Sequence, residues 1–156
     1  MTRPIESYIG RGWALRAARP DDLEATRKLL RDCELPLEGI EDPFGDGFAV
    51  AEGEGALVGI AGVERYGHVG LLRSVAVAPS RRAGGLGSGL VDDRIAWARR
   101  HDISTLYLLT TTAAPFFARR GFVEILRSDA PAEIQGSREF SQACPASATL
   151  MRRGIG

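Results

Sequence analysis

Residues 69–90 read VGLLRSVAVAPSRRAGGLGSGL. The first half, Val69 to Ala78, is rich in aliphatic and β-branched residues and predicts a strand that Pro79 stops. A basic, glycine-rich turn follows, and then a helix from about Gly85 to about Arg100. A turn of this kind feeding a helix N-terminus is an anion site on physical grounds. The first N–H groups of a helix have no internal acceptor, and the aligned peptide dipoles favour negative charge there. Glycines at 84, 85, 87 and 89 would let a phosphate approach the backbone without a Cβ in the way. Arg81 and Arg82 add forked donors suited to phosphate oxygens.

Spacing narrows the ligand. The dinucleotide pattern Gly-x-Gly-x-x-Gly is not met by Gly85-Leu86-Gly87-Ser88-Gly89, and no Gly-Lys-Ser/Thr follows to make a P-loop. Arg82-Ala83-Gly84-Gly85-Leu86-Gly87 instead resembles the Gln/Arg-x-x-Gly-x-Gly/Ala pyrophosphate loop of the GNAT N-acetyltransferases, which bind acetyl-coenzyme A. Ser74-Val75-Ala76-Val77-Ala78-Pro79 is similar to the fourth strand of that family. A second match lies downstream, where Ala113 to Phe122 resembles the family's Ala-x-x-Phe-Tyr-x-x-x-Gly-Phe helix. The resemblance implies an α/β fold, a central mixed sheet with helices on both faces, over essentially the whole chain. It also implies that Arg82, Ala83, Gly84, Gly85, Leu86, Gly87 and Ser88 hold the pyrophosphate. The backbone of Val75, Ala76 and Val77 would face the pantetheine arm and polarise the thioester carbonyl, with Phe117 beside the cofactor. A finer resemblance rests on residues 71–77, 107–112, 138–140 and 144–148. These look like an acetyltransferase subgroup of bacterial arsenic-resistance operons, itself similar to the acetyltransferase domain of N-acetylglutamate synthases.

The whole chain sets wide bounds. Its 156 residues suit one domain, 1–156, with a loose lead-in over 1–12. Twenty basic and twenty acidic residues leave no net charge, so nothing favours nucleic acid or an acidic membrane as bulk partner. No stretch approaches the roughly twenty apolar residues that cross a bilayer, and Met1 to Gly12 has no apolar run. Cys33 and Cys144 fit no zinc or redox spacing and suggest reduced thiols in the cytosol. No metal is expected, and a homodimer is left open.

Read in order, Trp13 to Ala17 alternates as a first strand, and Pro20-Asp21-Asp22 opens a helix with Leu23, Thr26, Leu29, Leu30 and Cys33 on its apolar face. Residues 35–46, broken by Pro and Gly, read as irregular with at most one short helix. Strands are expected at Phe48–Ala51 and Ala56–Val63, where Gly59 and Gly62 mark weak points or close contacts. Glu64 to His68 turns the chain. Thr105–Thr110 is a strand, and Thr111 or Thr112 caps a short helix that ends at Gly121. Phe122–Leu126 and Ala146–Met151 are further strands, with a long polar loop over 128–141 that has room for a helical turn.

Amide formation from a thioester needs a neutral amine and a stabilised thiolate. Phe117 stands where the family often has tyrosine, so the proton donor passes to Thr110, Thr111 or Thr112, to water, or to none. Leu71 stands where relatives often carry a carboxylate. Glu64 is the substitute base, with Tyr66 or His68 contributing; otherwise it is an exposed strand-end charge. Arg73, read by alternation on the same face as Val75, and Arg138 are candidates for binding a substrate carboxylate. Their alternative is a structural pair with acids such as Glu139. The expected activity is acetyl transfer to a small, amino-acid-like amine. Protein N-terminal or lysine acetylation and a non-catalytic acyl-coenzyme A sensor are the rivals.

Overall fold

The computed structural model describes residues 12–41, 44–82, 84–143 and 146–156. The lead-in before Gly12, Ala83 of the glycine loop and Cys144 lie outside the described residues.

Seven strands form one mixed sheet: β1 (Ala14–Ala17), β2 (Phe48–Gly53), β3 (Ala56–Tyr66), β4 (Val69–Val77), β5 (Thr105–Thr110), β6 (Val123–Ile125) and β7 (Thr149–Gly154). Their order across the sheet is β1-β2-β3-β4-β5-β7-β6, antiparallel except where β4 lies parallel to β5. Four α-helices accompany it: α1 (Leu23–Asp32), α2 (Leu86–Arg100), α3 (Ala114–Arg119) and α4 (Ala132–Gln135).

Helices cover both faces, as expected. Leu29 and Leu30 of α1 pack with Phe48, Val50, Ile60 and Ala76 on one face. The apolar stripe of α2, Leu86, Leu90, Val91, Ile95 and Ala98, covers the other. The run-up to α1 is fastened by Arg16, whose guanidinium donates to both oxygens of Asp22 at 2.7 and 2.9 Å and to Glu52 at 3.2 Å. That cation holds the Asp22 carboxyl below the usual range. Among the described residues no helix is long and apolar enough to cross a membrane.

The strand glycines mark close contacts. At Gly62 a Cβ would enter the ring of Phe48, and at Gly59 it would lie 2.9 Å from Leu90 Cδ1. Gly62→Ala should therefore destabilise the protein by ~1–3 kcal/mol, read as a lower denaturation midpoint with an unchanged slope.

Several boundaries differ from the sequence reading. Strand β3 continues to Tyr66, and the turn is confined to Gly67 and His68, where Gly67 has φ +65°. Glu64 is thus a strand residue only 9% exposed, not a strand-end charge in solvent. Strand β7 sits about three residues later than predicted, while the described residues of 35–46 are irregular, in line with the reading. The polar stretch after β6 carries α4 and a π-helical segment, Glu139–Ala143. Together with Ala130 and Ile134 it covers Leu71, Tyr107 and Leu109 on the α1 face of the sheet.

The difference that matters most is in β4. Pairing with β3 runs Ile60↔Ala76, then Gly62↔Arg73, so β4 holds one extra residue between these positions. Ser74 has φ +60°, a left-handed conformation unusual for a residue with a Cβ. This bulge resets the alternation. Arg73 stays on the α1 face, where it meets Glu64. Val75 turns to the α2 face, packed with the Leu72–Val91 and Leu86–Leu90 clusters. The two side chains do not share a face, contrary to the alternation rule applied without a bulge.

Candidate active site

Strands β4 and β5 begin paired and then part. Their ladder covers only Val69–Leu71 with Thr105–Tyr107, whereas β4 runs on to Val77 and β5 to Thr110. A cleft of about 1000 Å³ opens where they diverge. One wall is Leu72 to Val77. The other is Leu108 to Ala113 with Phe116 and Phe117. Beyond Leu71 the β5-facing backbone of β4 has no strand partner. Val75, Ala76 and Val77 line the cleft along this unpaired edge, where the Val77 carbonyl is taken by Arg82.

The glycine turn lies at one end of this cleft. Gly85 precedes α2 in the left-handed region, φ +79°, and Gly85, Gly87 and Ser88 line the cleft. The first-turn amides of α2 are therefore presented to it. Leu86 does not present its side chain to the cleft, because that side chain is 1% exposed and belongs to the core. Gly84 is exposed with open space around it.

The other basic and glycine residues of the turn have different work. Arg81 turns away: Nη1 donates to the Gly12 carbonyl at 3.0 Å, Nη2 lies 3.6 Å from Glu54, and the guanidinium fills the space a Gly53 Cβ would need. Gly89 makes room for Trp13, whose ring would come within 2.8 Å of a Cβ there. Arg82 does line the cleft, yet its Nε donates to the Val77 carbonyl at 3.0 Å and its Nη2 to Cys33 Sγ at 3.3 Å. Cys33 is a free thiol, half-buried on the cleft wall and not fully within the core.

A buried ionic cluster closes the floor between this cleft and a second cavity of about 390 Å³ lined by Gly39, Glu64, Tyr66, Ser137 and Arg138. Arg73, 2% exposed, stands at its centre. Its Nη1 donates to Glu64 Oε2 at 2.7 Å, and its Nε donates to Ser74 Oγ at 3.0 Å and lies 3.2 Å from Glu139 Oε1. Tyr66 Oη donates to the other Glu64 oxygen at 2.5 Å. Burial, then this bond, raises the phenol pKa. The Nη2 of Arg73 is buried with no acceptor among the described residues. An unmet guanidinium donor beside a cleft is a standing offer to an anionic ligand group. Arg138 is exposed, and its chain lies against Gly39, 3.1 Å from where a Cβ would be; Arg73 Nη1 is 3.6 Å from the same point. The fold thus brings together two arginines 65 positions apart.

Thr110 lies on the opposite wall. Its Oγ1 accepts the Ala113 N–H at 2.9 Å, so it, and not Thr111 or Thr112, caps the turn into α3. Its own hydroxyl hydrogen is left for another acceptor. Phe117 packs edge-on against Phe116 and Phe122 within the core and still touches the cleft.

Glu139 is the residue whose chemistry sequence reasoning missed. It sat in a polar loop as a mere partner for arginine. The structure buries it to 3% exposure on the cleft floor, and burial pushes its carboxyl up to about 7. Glu64 and Glu38 push in the same direction, and Arg73 opposes them. No periodicity marked it, since a π-helical segment presents it. Among the described residues, no group of three or more His, Cys, Asp or Glu could hold a metal ion.

Comparison with known proteins shows the family and the fold. Residues 12–122 match the family described as Acetyltransferase (GNAT) family. An amino-acid acetyltransferase of Vibrio atlanticus is 32% identical over 137 residues, 82% of this chain and 31% of that protein. One from Neisseria meningitidis is 33% identical over 127 residues, 76% of this chain and 29% of that protein. The chain therefore spans less than a third of the length of these relatives. Among solved structures, Rv2747 from Mycobacterium tuberculosis, in complex with CoA, superposes with TM-score 0.78 at 26% identity, covering 92% of this chain and 99% of that one. N-acetylglutamate synthase from Neisseria gonorrhoeae, complexed with coenzyme A and N-acetyl-glutamate, shares the fold with TM-score 0.79 at 24% identity, over 92% of this chain and 35% of that one.

Proposed function

The chain belongs to the GNAT acetyltransferase family, and from that premise we propose that it is a cytosolic N-acetyltransferase. It moves the acetyl group of acetyl-coenzyme A to the amine of a small acceptor that carries a carboxylate. The observation that carries the acceptor class is the buried Nη2 of Arg73, which has no acceptor among the described residues, in a residue that lines the cleft. The names of the amino-acid acetyltransferase relatives point the same way.

In this reading the α2 first turn, with Gly85, Gly87 and Ser88, holds the pyrophosphate, and Ala83 and Gly84 complete the loop. Peptide groups of Val75, Ala76 and Val77 line the pantetheine arm and polarise the thioester carbonyl. Arg82 steadies the end of β4 beneath it, and Phe117 forms the apolar wall. Arg73 receives the acceptor carboxylate through Nη2, with Arg138 at the rim of the second cavity. Thr110 donates its hydroxyl hydrogen to the departing sulfur. Glu64 was the sequence candidate for the base. Both its oxygens are engaged, by Arg73 and Tyr66, and it lines the second cavity. It positions Arg73 in this account. Much of the rate would come from holding amine and thioester in line.

Thiol release from acetyl-coenzyme A across a panel of amino acids, simple amines and peptides tests the reading. Amino acids should exceed matched amines without a carboxylate by ~10–100-fold in kcat/KM, the value of one charge-assisted bond. Following the arsenic-operon resemblance, amino-acid-like toxicants belong in the panel. Turnover on peptides alone would make the protein a protein acetyltransferase, and binding without turnover would make it a sensor.

A further inference from the structure

We propose that Glu139 is the general base that takes the proton from the attacking amine. The proposal rests on the acetyltransferase reading above and names the group that reading leaves open.

Geometry comes first. Glu139 lines the same cleft as the Ser74 bulge, the β4 backbone and Thr110. Its Oε1 and Ser74 Oγ lie at the same Arg73 nitrogen. An amino acid whose carboxylate meets Arg73 Nη2 brings its α-amine beside that guanidinium, on the side of the neighbouring carboxylate. A cation and an anion held side by side match the two charges of an amino-acid head group.

Charge supplies the driving force. Arg73 is one cation between two acids, Glu64 and Glu139. Glu64 has the better share, with the 2.7 Å bond and the Tyr66 hydroxyl besides. Glu139 has only the Nε contact at 3.2 Å, in competition with Ser74. Glu38, on the cleft wall, adds a further negative charge. The cluster therefore buries one excess negative charge, which burial penalises and a proton removes. Arg73, Glu64, Tyr66 and Glu38 are the ionisable groups that face Glu139 across the packing, with Arg138 beside it in the chain. A carboxyl pushed up to about 7 suits proton transfer near neutral pH. A π-helical segment, a device common at functional sites, carries it into place. Ser137 anchors that segment by donating to the Ile134 carbonyl at 2.7 Å and accepting from the Phe140 N–H at 3.2 Å.

The step balances. The amine lone pair forms the N–C bond at the thioester carbonyl carbon. The C–S bond breaks, and its electrons leave on the coenzyme A sulfur, which takes a proton from water across the hydrogen bond of Thr110. The proton lost from nitrogen goes to Glu139, which returns it to solvent before the next turnover.

The test is Glu139→Gln, followed as kcat against pH from 5.5 to 9.5 with saturating acceptor. Wild-type kcat should fall tenfold per pH unit below an apparent pKa near 7. The variant should lose ~100-fold or more of kcat at pH 7.5, lose that acidic limb, and bind coenzyme A with unchanged affinity by calorimetry. Glu139→Asp should keep the limb at reduced rate, which a residue acting only through packing would not do. Thermal midpoints at pH 8 should not fall in Glu139→Gln, because the variant keeps Arg73 paired with Glu64 and removes the excess charge. An active wild type with a variant of equal rate, or with the limb intact, overturns the base alone. A wild type that binds acetyl-coenzyme A and acetylates no amine sinks the transferase reading, and Glu139 with it.

Discussion

Gly85→Glu should abolish coenzyme A binding: calorimetry should show affinity reduced at least ~100-fold, the value of about two charge-assisted hydrogen bonds. Gly85 sits at φ +79° immediately before α2 and lines the cleft. A carboxylate there competes for the first-turn amides and repels the pyrophosphate. The left-handed backbone adds a strain of ~1–2 kcal/mol for any residue with a Cβ. Gly85→Ala separates the two causes. No atom of the described residues lies within 4 Å of a Cβ at this position, so alanine meets backbone strain and no clash with them. It should lower stability by about 1 kcal/mol and cost less than ~10-fold in affinity. Equal affinity in wild type and Gly85→Glu would show that the pyrophosphate is not held at this turn.

Substitutions of Arg73 should have the next largest effect, and on two observables. Arg73→Ala leaves Glu64 and Glu139 buried without their shared cation, so stability at pH 8 should fall by ~3–5 kcal/mol. Acidification should recover part of that loss as Glu139, already held high by burial, takes up a proton. Arg73→Lys keeps the charge and loses the fork. Its kcat/KM on carboxylate-bearing acceptors should drop ~10–100-fold, with a much smaller drop on simple amines. Equal losses on both classes would confine Arg73 to a structural role.

The legible part of this protein was local. Strand, proline, glycine turn and helix at 69–100 follow from rules that act within a few residues, and α2 begins at Leu86, within one position of the expected start. Gly59 and Gly62 were read as weak points or close contacts, and the structure shows the second: a Cβ at either would collide with a neighbouring side chain. The same local rules failed at Ser74. Nothing in a serine between Arg73 and Val75 signals φ +60°, and strict alternation put two side chains on one face that the bulge sends to opposite faces. Arg81 and Gly89 were assigned to phosphate because they share the turn. Their partners, Gly12 with Glu54 and Trp13, come from distant parts of the chain.

The amino-acid order by itself determined the family, the sheet with helices on both faces, and the glycine turn at the head of α2. Hydrogen-bond donors at a helix start and the steric freedom of glycine act at short range, so the pattern carries them. The ionic floor was decided only in three dimensions. Glu64, Arg73 and Glu139 meet because a strand bulge, a strand pairing and a π-helical segment converge. The proton affinity of Glu139 is a property of that burial and of its neighbours' charges, not of a glutamate in a string.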